Sequence, residues 1–150
     1  MPHVPGLRSP YVKVGRLVHF ARMLDKIRLH TAGQLPPDYV TNYSDASPGV
    51  FDARCCSFLG VRHADVVAQV LADLNDEQAL AWCHDKGGVR TDEQCLIWNT
   101  FLLKRGWRDE ASERLQLRVR ESGLESHNIQ TFFDLIEADE GGDPAQARLG

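Results

Sequence analysis

The chain has 150 residues, 43% of them apolar and 25% charged, which is the length and make-up of one globular domain and excludes a disordered or fibrous polymer. A fold of this size hides about 68–70% of the surface that its unfolded chain exposes, so a core forms without disulfide or metal staples. The formal charge of -4 and the pI near 5.8 exclude a general binder of nucleic acid or anionic membrane, which needs a basic excess.

Met1 to Pro10 carries three prolines and one glycine but no apolar run of about 7–15 residues, so residues 1–12 are expected to form an extended arm, not a secretory signal. Period 3.6 then dominates, and Gly or Pro stands wherever a helix should stop. A first helix is predicted from Lys13 to Thr31, ending at Gly33. The stretch Gln34–Gly49, with Pro36, Pro37 and Pro48, reads as an irregular crossing segment, long enough to be a functional cover or to hide a short helical turn. Helices follow over Asp52–Leu59, closed by Gly60, and over His63–Leu74. Asn75 with Gln78, and Thr91 with Gln94, have capping-box spacing and open a fourth helix to Lys86 and a fifth to Arg105. Cys95, Ile97, Trp98, Phe101, Leu102 and Leu103 cover so much of the fifth that it is expected to be central. A sixth runs from Asp109 to Gly123, with Glu110 and Arg114 spaced i,i+4 and Leu124 placed for a Schellman contact. The seventh aligns Ile129, Phe132, Phe133 and Ile136 and ends near Gly141, leaving residues 142–150 as a flexible tail. No alternating run long enough for a strand survives. The fold expected is all-α, a single domain over residues 1–141 of six or seven helices in a compact array, anchored by Trp82, Trp98 and Trp107.

Few motifs dictate chemistry. Cys55, Cys56, Cys83 and Cys95 include no CxxC pair and read as buried, reduced thiols, with a reactive Cys55 or Cys56 beside Arg54 as the alternative. Six histidines form no HExxH and no i,i+4 pair, so neither metal nor cofactor is implied. Asp134, Glu137, Asp139 and Glu140 crowd the last turns of the seventh helix, against its dipole, and are expected to be solvated unless Arg108, Arg8 or a divalent cation offsets them. Five arginines between Arg105 and Arg120 alternate with Glu110 and Glu113, which marks a salt-bridged solvent face and not a DNA-reading helix. No run is long and apolar enough to span a membrane, and the chain reads as a soluble cytoplasmic protein. Up to residue 60 there are seven basic and four acidic residues, and after it ten and 17, so a basic half is expected to pack on an acidic half.

The first helix is the unusual element. Leu17, Phe20, Met23, Leu24 and Ile27 share a broad face with His19, Lys26 and His30 opposite, yet Arg28 projects at the angle of Leu17 and Asp25 falls between apolar neighbours. Arg22, Asp25 and Arg28 are spaced i,i+3, placing one carboxylate within reach of two guanidinium groups. Such a cluster is either an internal strut or, with Arg8, Arg54 or His30 joining it, a seat for an anionic ligand held by paired bonds.

The segments GLRSP from Gly6, RMLDKIRLH from Arg22, FDARCCSFLG from Phe51, KRGWRDEASERL from Lys104 and QTFFDLIEADEG from Gln130 resemble a family of small bacterial single-domain proteins of unknown function, over roughly residues 4–141. The resemblance implies a bacterial cytosolic protein and a charged first helix common to the family, and it brings no activity or catalytic residue. The function expected is a small binding or interaction module whose first helix and arm accept an anionic small molecule or partner group through Arg8, Arg22, Asp25, Arg28, His30 and Arg54. The alternatives are an enzyme acting on a carboxylated or phosphorylated metabolite with Asp25 or His30 as general base, and a purely structural partner protein. The oligomeric state is left open.

Overall fold

Gly and capping punctuation divides the chain into eight α-helices in a computed structural model that describes residues 3–150. They are α1 (Phe20–Thr31), α2 (Phe51–Leu59), α3 (His63–Leu71), α4 (Asp76–Gly87), α5 (Asp92–Lys104), α6 (Ser112–Glu121), α7 (Phe132–Asp139) and α8 (Pro144–Leu149). Two 3-10 turns, Pro37–Asn42 and Glu125–His127, join them, and the extended pairing among the described residues is a single bridge between Val14 and Leu17. The fold is all-helical, as the sequence predicts. No helix of the described residues is long and apolar enough to cross a membrane.

Both capping boxes form, with Asn75 and Thr91 accepting from the Gln78 and Gln94 amides while those glutamine side chains bond back. Gly60, at φ 71°, closes α2, and Leu124 N–H reaches the Val119 carbonyl at 3.0 Å past Gly123 to complete a Schellman end on α6.

Several boundaries and placements differ from the sequence expectation. The first helix starts at Phe20, not Lys13, because Gly15 (φ 57°) turns the chain at the Val14–Leu17 bridge and His19 holds φ 67° at the N-cap. The crossing segment does contain a helical turn, opened by the fixed φ of Pro37. The expected frayed end instead carries α8, capped by Asp143 and packed on α7. Met1 and Pro2 of the arm lie outside the described residues.

The central helix is α1, not α5. Phe20, Ala21, Met23, Leu24 and Ile27 are fully buried in the main core with Leu59, Val66, Leu102 and Phe133, each large side chain contributing roughly 2 kcal/mol of burial. On α5 only Cys95, Trp98 and Leu102 are buried, while Leu96 and Ile97 are 66% and 63% exposed. Of the three tryptophans, Trp98 alone is a core residue; Trp82 is half-buried and Trp107 lies at the surface. The arm adds a smaller apolar cluster in which Val4 and Leu7 meet Leu29 and Tyr39.

Candidate functional site

Arg8, Asp25 and Arg28 come together, and a residue of α4 completes them. Asp25 accepts from Arg8 Nε at 2.9 Å, Arg8 Nη2 at 3.0 Å, the Arg8 amide at 2.9 Å and Arg28 Nη1 at 3.3 Å. Asp76 takes the remaining arms, Arg8 Nη1 at 2.8 Å and Arg28 Nη2 at 2.9 Å. The quartet is two cations and two anions, tying the arm, α1 and α4. Both guanidinium groups hold the Asp76 carboxyl below its ordinary range, against the opposing effect of partial burial. In the sequence Asp76 looks like an ordinary first-turn acid serving the α4 dipole, so its second role carried no signal.

Arg22 is not part of this cluster. Its guanidinium is buried and forks onto Glu140 at 2.9 and 2.5 Å, bonds the Arg8 carbonyl at 3.0 Å, and shares Glu140 with the Tyr39 hydroxyl at 2.9 Å. Asp134 is likewise buried, accepting from Tyr11 and Arg148 at 2.5 Å each. The acids at the end of α7 were expected to be solvated, but Asp134 and Glu140 are internal struts neutralised by Arg148 and Arg22. His30 is exposed and stacks on Tyr43, ring centroids 4.4 Å apart.

Two residues expected on the solvent face of α1, His19 and Lys26, are buried beneath the crossing segment. Lys26 Nζ bonds the Asn42 carbonyl at 2.7 Å and Asp52 at 2.9 Å, while His19 Nε2 meets the same Asp52 oxygen at 2.8 Å and the Ser44 amide donates to the other at 3.1 Å. Burial holds His19 down to about 4 and lowers Lys26, so the imidazole is neutral at pH 7. Burial would raise Asp52, but Lys26 and His19 outweigh it and hold the carboxyl near 2. His19 Nδ1 has no partner and the group has no opening to solvent, so it serves as a buried strut under residues 42–45.

Arg54 sits elsewhere, on the outer side of α2, and differs from the other arginines. Its Nε is sealed from water without an acceptor, and its guanidinium lies over the Phe101 ring at 5.1 Å. Arg105 stacks on the same ring at 5.4 Å, and Arg114 lies over Phe132 at 5.4 Å. Burial lowers the Arg54 pKa, and the charges of Arg105 and Arg114 lower it further, with Glu110 opposing. Arg105 is engaged by Glu110 at 3.0 Å, in place of the Glu110–Arg114 pair expected from spacing. Arg54 borders an open groove of about 510 Å³ whose walls include Asp45, Ser57 and the stacked Phe58 and Trp98, centroids 5.0 Å apart.

Other concavities suit an anion less. A larger one of about 870 Å³ between α5, α7 and α8 has Tyr11, Asp134 and Arg148 satisfying one another at its floor. The groove beside Arg8 is walled by Glu137 and Glu140, and Arg28 borders none of the three. All four thiols are free and buried, and burial raises Cys55 well above its usual range and Cys56 and Cys83 to about 12, which removes the reactive-thiol alternative. No group of three or more His, Cys, Asp or Glu among the described residues is arranged to hold a metal.

Residues 4–142 match a domain of unknown function, DUF5069. The chain belongs to that family. The match spans α1 to α7 with most of the arm, the part of this DUF5069 chain that contains the quartet, the buried His19–Asp52–Lys26 group and the Arg54 groove. No curated protein matches the sequence.

Proposed function

We propose that the protein is a small binding module that accepts an anionic group, and that its seat is the Arg54 groove in place of the first helix and the arm. The observation that carries this reading is the Arg54 guanidinium, which has no hydrogen-bond acceptor among the described residues while its Nε is closed off from water. The closed-off Nε costs on the order of 1–3 kcal/mol in the fold, and a carboxylate or phosphate oxygen would bond the half-buried guanidinium at its Nη end. The Phe58–Trp98 stack offers a flat apolar wall to the rest of the ligand, and Asp45, the acid on the groove wall, is engaged by the His63 amide at 2.9 Å. The quartet offers no such vacancy, because Asp25 and Asp76 occupy both of its arginines. Asp25 has its oxygens committed to four donors, which removes it as a general base.

A thermal-shift series with inorganic phosphate, pyrophosphate, nucleotides and small carboxylic acids tests the assignment. A probe at 100 times its Kd adds about 2.7 kcal/mol, a rise of roughly 5–11 °C for this length. The rise is expected to vanish in Arg54→Met, which keeps the apolar stem over Phe101, and to persist in Arg28→Ala. No response to any anion, or an undiminished response in Arg54→Met, refutes the assignment.

A further inference from the structure

The outward face of α5 leaves Leu96, Ile97 and Phe101 uncovered side by side, and its residue order is self-complementary. At 100° per residue Glu93, Leu96, Ile97, Thr100, Phe101 and Lys104 form one stripe, opposite the buried Cys95, Trp98 and Leu102. Every residue of the stripe is exposed, and Glu93 and Lys104 make no ion pair among the described residues. The stripe is balanced about the helix midpoint between Trp98 and Asn99, with Glu93 and Lys104 equidistant from it on either side, then Leu96 and Phe101, then Ile97 and Thr100.

We infer that two copies of this chain associate through α5 packed antiparallel on its own symmetry mate. A two-fold axis at the helix midpoint brings each residue against the one equidistant on the other side, because antiparallel neighbours run in opposite directions from the crossing point. Glu93 of each copy then meets Lys104 of the other, Leu96 meets Phe101, and Ile97 meets Thr100. The pair nearest the axis is Ile97 against the small Thr100, which permits the interaxial distance of about 8–10 Å that packed helices adopt. The acid lies about 16 Å from the base along each helix, so two opposite-charge pairs close the two ends of the apolar strip. A parallel arrangement would put Glu93 against Glu93 and Lys104 against Lys104, which disfavours it. The dimer and the Arg54 groove have only Phe101 in common, so loss of one does not imply loss of the other.

The test is sedimentation velocity on the full chain from about 1 to about 300 µM, the range that brackets a small interface. A concentration-dependent monomer–dimer equilibrium is expected, and Ile97→Glu is expected to abolish the dimer while its circular dichroism melt remains cooperative. Glu93→Lys and Lys104→Glu should each weaken association on the order of tenfold, since each creates two like-charge contacts. The double reversal Glu93→Lys/Lys104→Glu should recover the original affinity to within a few-fold. A monomer throughout the range overturns the inference, leaving the face to a foreign partner. A dimer indifferent to Ile97→Glu, or single reversals that the double reversal does not rescue, overturns it as well.

Discussion

Asp25 receives four donors whereas Arg28 gives two, one of them long, so removing the acid and removing the base have unequal consequences. Asp25→Ala strands the Arg8 amide and two of its guanidinium arms in a partly buried site and should destabilise by about 3 kcal/mol. Arg28→Ala should cost only about 1 kcal/mol, because its side chain is 37% exposed and water screens the pair. Urea midpoints of the two variants check the order, and a larger loss for Arg28→Ala contradicts it. His19 makes a second prediction at this scale. Its folded value of about 4 lies below the ordinary 6.5, so the unfolded chain binds more protons between these values and stability falls as pH drops through that window, by up to about 3 kcal/mol. His63, also lowered by burial, acts in the same direction. Asp52, held near 2, adds a further loss as pH falls from about 3.8 toward that value. His19→Asn tolerates the left-handed φ and removes the titration, so the slope of stability against pH between 4 and 6.5 should flatten; an unchanged slope assigns it elsewhere.

Helix ends were the most legible elements, since a cap is a local device: Asn75, Thr91, Gly60 and Gly123 each act through atoms within a few residues. Asn75→Ala or Thr91→Ala should each cost about 1 kcal/mol in a denaturant titration. Gly87 shows the opposite situation. It ends α4 directly against the end of α2, and an added Cβ would overlap the Leu59 carbonyl oxygen and approach Gly60 Cα at 3.2 Å. Gly87→Ala should therefore cost about 3 kcal/mol and lower the melting temperature by roughly 6–12 °C. The Gly33→Ala substitution meets no atom within 4 Å and carries only the strain of φ 71°, about 1 kcal/mol. Equal losses at the two positions contradict the close approach of α2 and α4. The choice between α1 and α5 as the central helix was not legible. By pattern α5 is apolar around most of its circumference while α1 carries Arg22, Asp25, Lys26 and Arg28, yet which helix is enclosed depends on how many neighbours pack on it and on whether its charges find buried partners.

Across the whole molecule the basic first part and the acidic remainder do meet, through Arg8 and Arg28 with Asp76, Arg16 with Asp92, and Arg22 with Glu140. Arg22 and Glu140 are largely shielded from solvent, so raising salt to about 1 M, where the screening length is about 3 Å, should lower stability by no more than about 1 kcal/mol. A large loss on adding salt would place these charges in solvent. Sequence by itself determined the all-helical class, the caps, the buried thiols, and that the α1 charges had to be paired, because periodicity, capping and the cost of an unpaired buried charge are short-range or additive properties. Only the tertiary structure decided which carboxylate each arginine received. Arg22 reaches Glu140 across 118 positions and Arg8 reaches Asp76 across 68, and no spacing rule operates at that separation. The same long-range packing buried Lys26 and His19 beneath the segment around Asn42 and left Arg54 without an acceptor among the described residues, and it turned the apolar outer face of α5 to solvent.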